Sequence, residues 1–441
     1  MLFDVLPMVA LRSTMGCTVP RRWRCFQIYL SFSGRGNFFV VLLEINCNIS
    51  AKKYDIQEIK NLTSHFCVLY LRQIVADISI CTICFYVQSN SKFFSENQAV
   101  MTTDKIRFAV IGLGHGVEHV EAIMGNPREE LVLCCDLNEE AFRKANLPPE
   151  VQFTTSMQEV AERTDIDAVA IALPTHLHAD SAIMMLNAGK HVLCEKPLAP
   201  TLEEGLRIKE AVEKSGKVFQ LGYEVRYSPF NQKVLQICKS GEIGEVTNVW
   251  WNMFCEKTNN GWRSSRKNRG GKIFDCACHY YDILQAWAGA PAKRIFAFGN
   301  LLGKIGPIAD DIPETAIVIF EYENGVRGVF NLSDKCICRQ SSTCGVAATN
   351  GKIEADPYYP DQLGSMDVHA NGGEFQYHID IKNVSNKRAL HLGAREQHEA
   401  FANSVLNGAK VEVNVDTGIQ LIKILDALDE SLATGKVVEI N

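Results

Sequence analysis

The stretch Ile106-Arg-Phe-Ala-Val-Ile-Gly-Leu-Gly-His-Gly-Val117 decides the fold of this chain. Ile106–Ile111 reads as an apolar strand, and it runs directly into the turn Gly112-Leu113-Gly114-His115-Gly116. A helical stretch follows from His119 to Met124, then a second strand, Leu131–Cys135, ending in Asp136. Strand, glycine-rich turn, helix, strand and acid, in that order, form the context that a dinucleotide fingerprint requires. Gly112 permits the tight turn, and Gly114 lets the backbone approach a pyrophosphate. The amino end of the helix offers N–H donors and the positive end of its dipole. The third glycine position is Val117, with Gly116 displaced by one, so the order of elements carries the reading.

Asp136 stands 24 residues after Gly112, near the ~20 expected of the acid that takes ribose hydroxyls. A carboxylate there repels a 2′-phosphate, and no Arg or Ser follows immediately to receive one. NAD is therefore the expected cofactor, and Arg143 on the next helix keeps NADP as the alternative.

Alternation continues beyond this unit. Ala168–Leu173 reads as a strand running into Pro174-Thr175-His176-Leu177-His178, and a helix over 179–188 stops at Gly189. The strand His191–Cys194 then ends abruptly in Glu195-Lys196-Pro197. Thr201 is placed to cap the next helix, and Lys217–Leu221 makes a last strand before Tyr223-Glu-Val-Arg226. Such a βαβ series forms a parallel, doubly wound sheet. Its carboxyl edge binds ligands, which puts Lys196 at that edge; a surface Lys–Glu pair closing a turn is the plainer alternative.

The second half changes character. Strands are expected from Gly244 to Asn252, at Arg294–Phe298, Thr315–Tyr322 and Arg327–Leu332, and between Cys344 and Val384, with helices near 394–406 and 417–433. Gly270-Gly271 precede Lys272-Ile-Phe-Asp275-Cys-Ala-Cys-His279. Asp275 and His279 are four apart, so on a helix they share a face, and a carboxylate one turn away would orient the imidazole as a base. A dipole-compensating Asp and a satisfied core histidine are the plainer alternative. Cys276, Cys278 and His279 do not make a zinc site, because adjacent helical positions diverge and a fourth ligand is missing. His398 reads as structural.

Together, Gly112–Gly116, Asp136, the Pro174–His178 segment, Gly189-Lys-His-Val-Leu-Cys-Glu-Lys-Pro197 and Arg226 resemble the Gfo/Idh/MocA family, which includes glucose–fructose oxidoreductase and inositol dehydrogenases. The likeness covers about residues 104–441. It implies an α/β protein: a Rossmann domain at 101–224, and a C-terminal α+β domain at 225–441 with an open, mostly antiparallel sheet for substrate binding and oligomerisation. It implies cofactor contacts at Gly112, Leu113, Gly114, His115, Gly116, Asp136, Pro174, Thr175, His178, Glu195, Lys196 and Arg226. Lys196, Asp275 and His279 would be the catalytic group, and Arg226, Trp262 and Arg263 would border the substrate with them. The sequence departs from the family at Lys272, where a small residue is usual, and this sets a cation near the mouth. The implied reaction is hydride transfer between NAD(P) and a secondary hydroxyl of a sugar, inositol or similar polyol. The alternatives are an NAD-assisted glycoside hydrolase on the same fold and a non-catalytic nucleotide-responsive regulator. The regulator is disfavoured because Lys196 and His279 are both present.

Composition fits these expectations. The 441 residues are 46% hydrophobic and 22% charged, which suits a soluble globular protein of two or three domains without membrane spans. A net charge of -6 supplies no basic field for nucleic acid. Of 16 cysteines, several fall inside expected strands (Cys134, Cys135, Cys194), as in a reduced, cytoplasmic protein. Residues 1–100 stand apart: ten Lys/Arg against six Asp/Glu, six cysteines, and apolar clusters of no clear period. Cys81-x-x-Cys84 has no second pair at zinc spacing. The expectation is that Met101 is the true start and that 1–100 is upstream sequence read into the protein, with an amphipathic organelle-targeting segment as the alternative; an intact mass that includes residues 1–100 would refute it.

Overall fold

The computed structural model describes residues 26–32, 39–45, 105–255, 266, 270–300, 312–334, 336, 341–357, 364–381 and 393–441. Trp262, Arg263 and the Cys81–Cys84 pair lie outside the described residues. In the first unit, 1–101, strands β1 (Phe26–Phe32) and β2 (Phe39–Ile45) pair antiparallel, with Phe26 opposite Ile45.

In the second unit, 102–441, the chain alternates as its apolar periodicity dictates. Strands β3 (Ile106–Ile111), β4 (Glu129–Cys135), β5 (Gln152–Thr154), β6 (Ala168–Ile171), β7 (His191–Glu195) and β8 (Phe219–Gly222) form a parallel sheet in the order β5-β4-β3-β6-β7-β8. The crossovers include helices α1 (Val117–Gly125), α2 (Glu139–Lys144), α3 (Met157–Glu162), α4 (His178–Asn187) and α5 (Leu202–Ser215). Strand order reverses at β3 and β6, so a crevice opens above their carboxyl ends. Local signals set the helix ends. Thr201 caps α5 by accepting from the Glu204 N–H at 3.3 Å, and Gly216 closes it at φ 62°.

After β8 come the short helix α6 (Glu224–Tyr227) and α7 (Pro229–Ser240). A second sheet holds β9 (Val246–Phe254), β10 (Ala292–Asn300), β11 (Thr315–Tyr322), β12 (Arg327–Ser333), β13 (Ser341–Ala348), β14 (Gly351–Asp356), β15 (Ser365–Ala370), β16 (Phe375–Asp380) and β17 (Val438–Glu439). Its order is β16-β15-β14-β13-β9-β12-β11-β10-β17, antiparallel except where β9 runs parallel to β12. Helix α8 (Cys278–Ala288) packs its apolar side on this sheet, with the Tyr280 ring 4.6 Å from Trp251.

The last helices return to the first sheet. Phe401 and Ala402 of α9 (Ala394–Asn407) join Ile106, Phe108 and Leu193 in one buried cluster. Each such side chain contributes about 1.5–3 kcal/mol by leaving water. Along α10 (Val415–Thr434), Gly418 lies so near Leu198 and Leu221 that an added Cβ would come within 2.9 Å of them. Among the described residues no helix is long and apolar enough to cross a membrane.

Candidate functional site

The glycine turn packs closely against the protein's own backbone. Gly112 has φ 90°, and a Cβ there would sit 2.6 Å from the Ala172 carbonyl. At Gly116 a Cβ would fall 1.9 Å from the Gly112 carbonyl oxygen, so this displaced glycine does the close-packing work of the third position. Gly114 is different: a Cβ there meets nothing within 4 Å, because the residue faces open space above the sheet. No side chain caps α1. Asp136 is held at the end of β4 by the Leu113 N–H at 2.6 Å and the Asn138 N–H at 2.7 Å. Open space, uncapped helix N–H groups and a fixed carboxylate fit a dinucleotide, with Gly112–Gly116 at the pyrophosphate and Asp136 at the ribose.

The opposite wall is anchored by buried polar bonds. Pro174 precedes a single turn, Thr175–Leu177, in which Thr175 is buried. His178 has no exposure, and its ring nitrogens meet the carbonyls of Pro197 and Leu173, both at 2.8 Å. It thereby ties the end of β6 to the Glu195-Lys196-Pro197 turn, the neutral ring that burial favours donating its one N–H to one of these two carbonyls. Gly222 of β8 lies against that turn, where a Cβ would meet the Glu195 Cα at 2.9 Å.

Lys196 reaches across to the second domain. Its Nζ donates to the Asp275 carbonyl at 2.7 Å and lies 3.3 Å from Asp275 Oδ1. Burial works against the ammonium's charge, but Asp275, the Cys278 and Cys276 sulfurs and Glu195 outweigh it and hold Lys196 above the usual lysine range. His279 projects from α8 into the same region, where the Tyr223 ring meets it edge-on with centroids 5.5 Å apart. Burial first, and Lys196 next, push His279 well below the ordinary imidazole range, which favours its neutral form.

The expected helical stacking of Asp275 on His279 gives way to a wider turn. Lys272–Cys276 forms a π-type turn ahead of α8, entered through Gly271 at φ 85°, where a Cβ would strike Ile312. Asp275 consequently turns to Lys196. A carboxyl group also reaches His279 from α6, with Glu224 Oε1 3.8 Å from Nε2. Burial, then Glu195, raise Glu224 well above the carboxylate range, so this contact joins two uncharged groups rather than an ion pair. Sequence reading missed Glu224; its position directly after β8, at the sheet's carboxyl edge, was the available signal.

Two further expectations change. Lys272 does not set a cation at the mouth: it is buried, with its Nζ donating to Cys255 Sγ at 2.7 Å. Arg226 is committed to a partner behind the cleft: its Nε and Nη2 engage the two oxygens of Asp282 at 2.9 and 2.6 Å, and Asp282 has no exposure. His398, read as structural, is fully buried and joined to His119 and Glu129.

Comparisons with known proteins agree with this fold. Residues 106–223 match the profile described as "Oxidoreductase family, NAD-binding Rossmann fold", and 236–440 match "Oxidoreductase family, C-terminal alpha/beta domain". The chain is 28% identical over 343 residues to scyllo-inositol 2-dehydrogenase (NAD(+)) of Bacillus subtilis, covering 76% of this chain and 97% of the relative. Against D-xylose 1-dehydrogenase (NADP(+)) 2 of Haloferax volcanii it is 25% identical over 342 residues, covering 76% and 99%. A crystallised levoglucosan dehydrogenase in complex with NADH and L-sorbose shares the fold at TM-score 0.65 and 22% identity, covering 77% of this chain and 99% of that one.

Proposed function

From the premise that this chain belongs to the Gfo/Idh/MocA oxidoreductase family, with an NAD-binding Rossmann domain, we propose that it is an NAD-dependent dehydrogenase acting on a secondary hydroxyl of a sugar, inositol or similar polyol. The observation that carries this reading is the meeting of Lys196, from the first sheet, with Asp275 and the neighbourhood of His279 from the second. NAD supplies the hydride acceptor when bound. His279, neutral and shielded, takes the hydroxyl proton. Lys196 donates a hydrogen bond to the same oxygen and holds the negative charge that develops there. Asp275 fixes the ammonium, and Glu224 and Tyr223 flank the imidazole. Positioned proton transfer of this kind contributes ~10²–10⁴-fold. Asp136, a carboxylate at the expected ribose position, supports NAD over NADP. Residues 101–224 would carry the cofactor and 225–441 the substrate.

The test is NADH formation by the full chain against sugars, inositols and dihydrodiols, with NADP in parallel. Absence of turnover across the panel would remove the reading. Release of free sugar from a glycoside without net NADH would select the NAD-assisted hydrolase instead.

The outer face of the second sheet supports a homo-oligomer. Phe298 pairs with Ile317 and Val329 with Ile319 across adjacent strands, and these four apolar side chains are exposed together. The cysteines of the described residues are free thiols, most of them buried, which supports a reducing compartment such as the cytoplasm.

A further inference from the structure

Behind Lys196 a line of four side chains runs away from the cleft through the protein interior. Glu195 Oε1 lies 3.1 Å from His119 Nε2, His119 Nδ1 lies 3.0 Å from His398 Nε2, and His398 Nδ1 lies 2.9 Å from Glu129 Oε2. The four come from the end of β7, from α1, from α9 and from the start of β4. All are buried, at 6%, 3%, 0% and 3% exposure in the order Glu195, His119, His398, Glu129.

The geometry fixes the number of protons in this line. A carboxylate only accepts, and a neutral imidazole carries one N–H and one lone pair. Two neutral rings therefore supply two hydrogens, while three contacts require three. A contact without its hydrogen would set two lone pairs against each other at about 3 Å, in surroundings where unmatched polar groups cost about 1–3 kcal/mol each. With only two hydrogens the interior would also hold two carboxylates and no cation, a burial that proteins avoid. We propose that Glu195, His119, His398 and Glu129 share one proton beyond those of two neutral imidazoles, and form a buried relay ending beside Lys196 in which His119 and His398 are positioning residues for Glu195.

The surroundings fit this assignment. At the cleft end, the Lys196 main-chain N–H donates to Glu195 Oε2 at 3.2 Å, and His115 Nε2 lies 3.8 Å from Oε1. Burial opposes ionisation of Glu195, but His119, His115 and Lys196 hold it below the usual carboxylate range. The other ionisable groups facing this end are Glu118, 3.6 Å from His115 Nδ1, the buried His178, Cys194 and Tyr223, and Glu224 and His279. At the far end Arg128 turns away, to Asn403 and the Glu399 carbonyl, and the α9 carboxyls Glu396 and Glu399 flank His398 in sequence. The Phe108 ring, 5.6 Å from that of His398, closes the side with apolar surface. Carried on the imidazole pair, the extra proton places a positive charge directly behind Glu195, on the side away from Lys196 and His279.

Glu129→Gln removes the need for the proton while keeping every contact. The Gln amide donates to His398 Nδ1, His398 Nε2–H donates to His119 Nδ1, and His119 Nε2–H donates to Glu195. The count is read by NMR on the full chain with ¹⁵N-labelled histidine and ¹³C-carboxyl-labelled glutamate, assigned through single variants. Wild type is expected to show one imidazolium in the pair, or one protonated carboxyl at its ends; Glu129→Gln is expected to show two neutral rings and an ionised Glu195. Both rings neutral with both carboxylates ionised in the wild type would overturn the proposal, and that measurement stands even if the variant fails to fold. The kinetic arm rests on the dehydrogenase reading. Glu129→Gln removes the imidazolium charge and, farther from the cleft, the Glu129 carboxylate; the nearer, positive charge dominates at His279, which titrates higher, so the acid limb of kcat/KM moves to higher pH in Glu129→Gln. An unmoved limb would overturn the link to Lys196. Failure of the dehydrogenase reading would leave the proton count intact, so the two outcomes are distinguishable.

Discussion

Lys196 and Asp275 are 79 residues apart in the chain, and the ammonium of the first lies 2.7 Å from the carbonyl and 3.3 Å from the carboxylate of the second. The contact joins the carboxyl edge of a parallel sheet to the turn that opens α8. It fixes the lysine with two of the three ammonium hydrogens and leaves one for another acceptor.

Lys196→Ala should lower kcat by ~10²–10⁴-fold, the range of positioned acid–base and charge-stabilising groups, while the Kd for NAD changes little. Steady-state kinetics and NAD titration separate the two effects. Equal loss of both would assign the lysine to the cofactor site or to the scaffold.

The pH profile follows from His279. Its folded pKa lies below the ordinary 6.5 because of burial and Lys196, so the acid limb of kcat/KM should fall below that of a free imidazole. Replacing Lys196 with Met removes the second cause, and the residual activity should show its acid limb at higher pH. The same depression affects stability. Below about pH 6.5 the unfolded chain binds a proton that the folded chain refuses, so folding stability falls as pH drops from there toward the folded value. Denaturant midpoints between pH 7 and 5 check the sign.

The glycines of the cofactor turn should separate by role. Gly116→Ala drives a Cβ to 1.9 Å from a backbone oxygen that cannot easily yield, and should cost about 1–3 kcal/mol or more, visible as a lowered Tm. Gly114→Ala meets no protein atom, so it should fold normally and weaken NAD by about tenfold through lost approach to the pyrophosphate. A Gly114→Ala protein with unchanged NAD affinity would remove this turn from the cofactor site.

Arg226→Met should be chiefly a stability lesion. It leaves Asp282 buried without its bidentate partner, a loss of about 3–5 kcal/mol. The double variant with Asp282→Leu should recover much of that loss, and thermal melts of the three proteins measure the coupling. A normal Tm for the single variant would return Arg226 to the ligand-binding group.

Much of this architecture was legible from the chain because it is periodic or punctuated. The strand entering Gly112, the cap at Thr201, the stop at Gly189 and the Glu323–Gly325 turn between β11 and β12 each have a local cause. What periodicity could not reach was direction. Asp275 and His279 are helically spaced, yet one wider turn sends the carboxylate to Lys196 and leaves Glu224 beside the ring. Lys272 reads as a surface cation until the same turn points it inward at Cys255. The pairing of His119 with His398 spans 279 residues and follows no repeat, so only tertiary packing reveals it.

The return of α9 into the first sheet's core has a consequence for biosynthesis. Phe108 needs Phe401 beside it, and the Leu221 N–H needs the Val413 carbonyl at 2.9 Å. A nascent chain paused after β8 would hold all six parallel strands and still lack part of their covering. Completion of the nucleotide-binding half must therefore wait until α9 has been synthesised, and a chain cut short anywhere before α9 would leave that half with an open apolar flank.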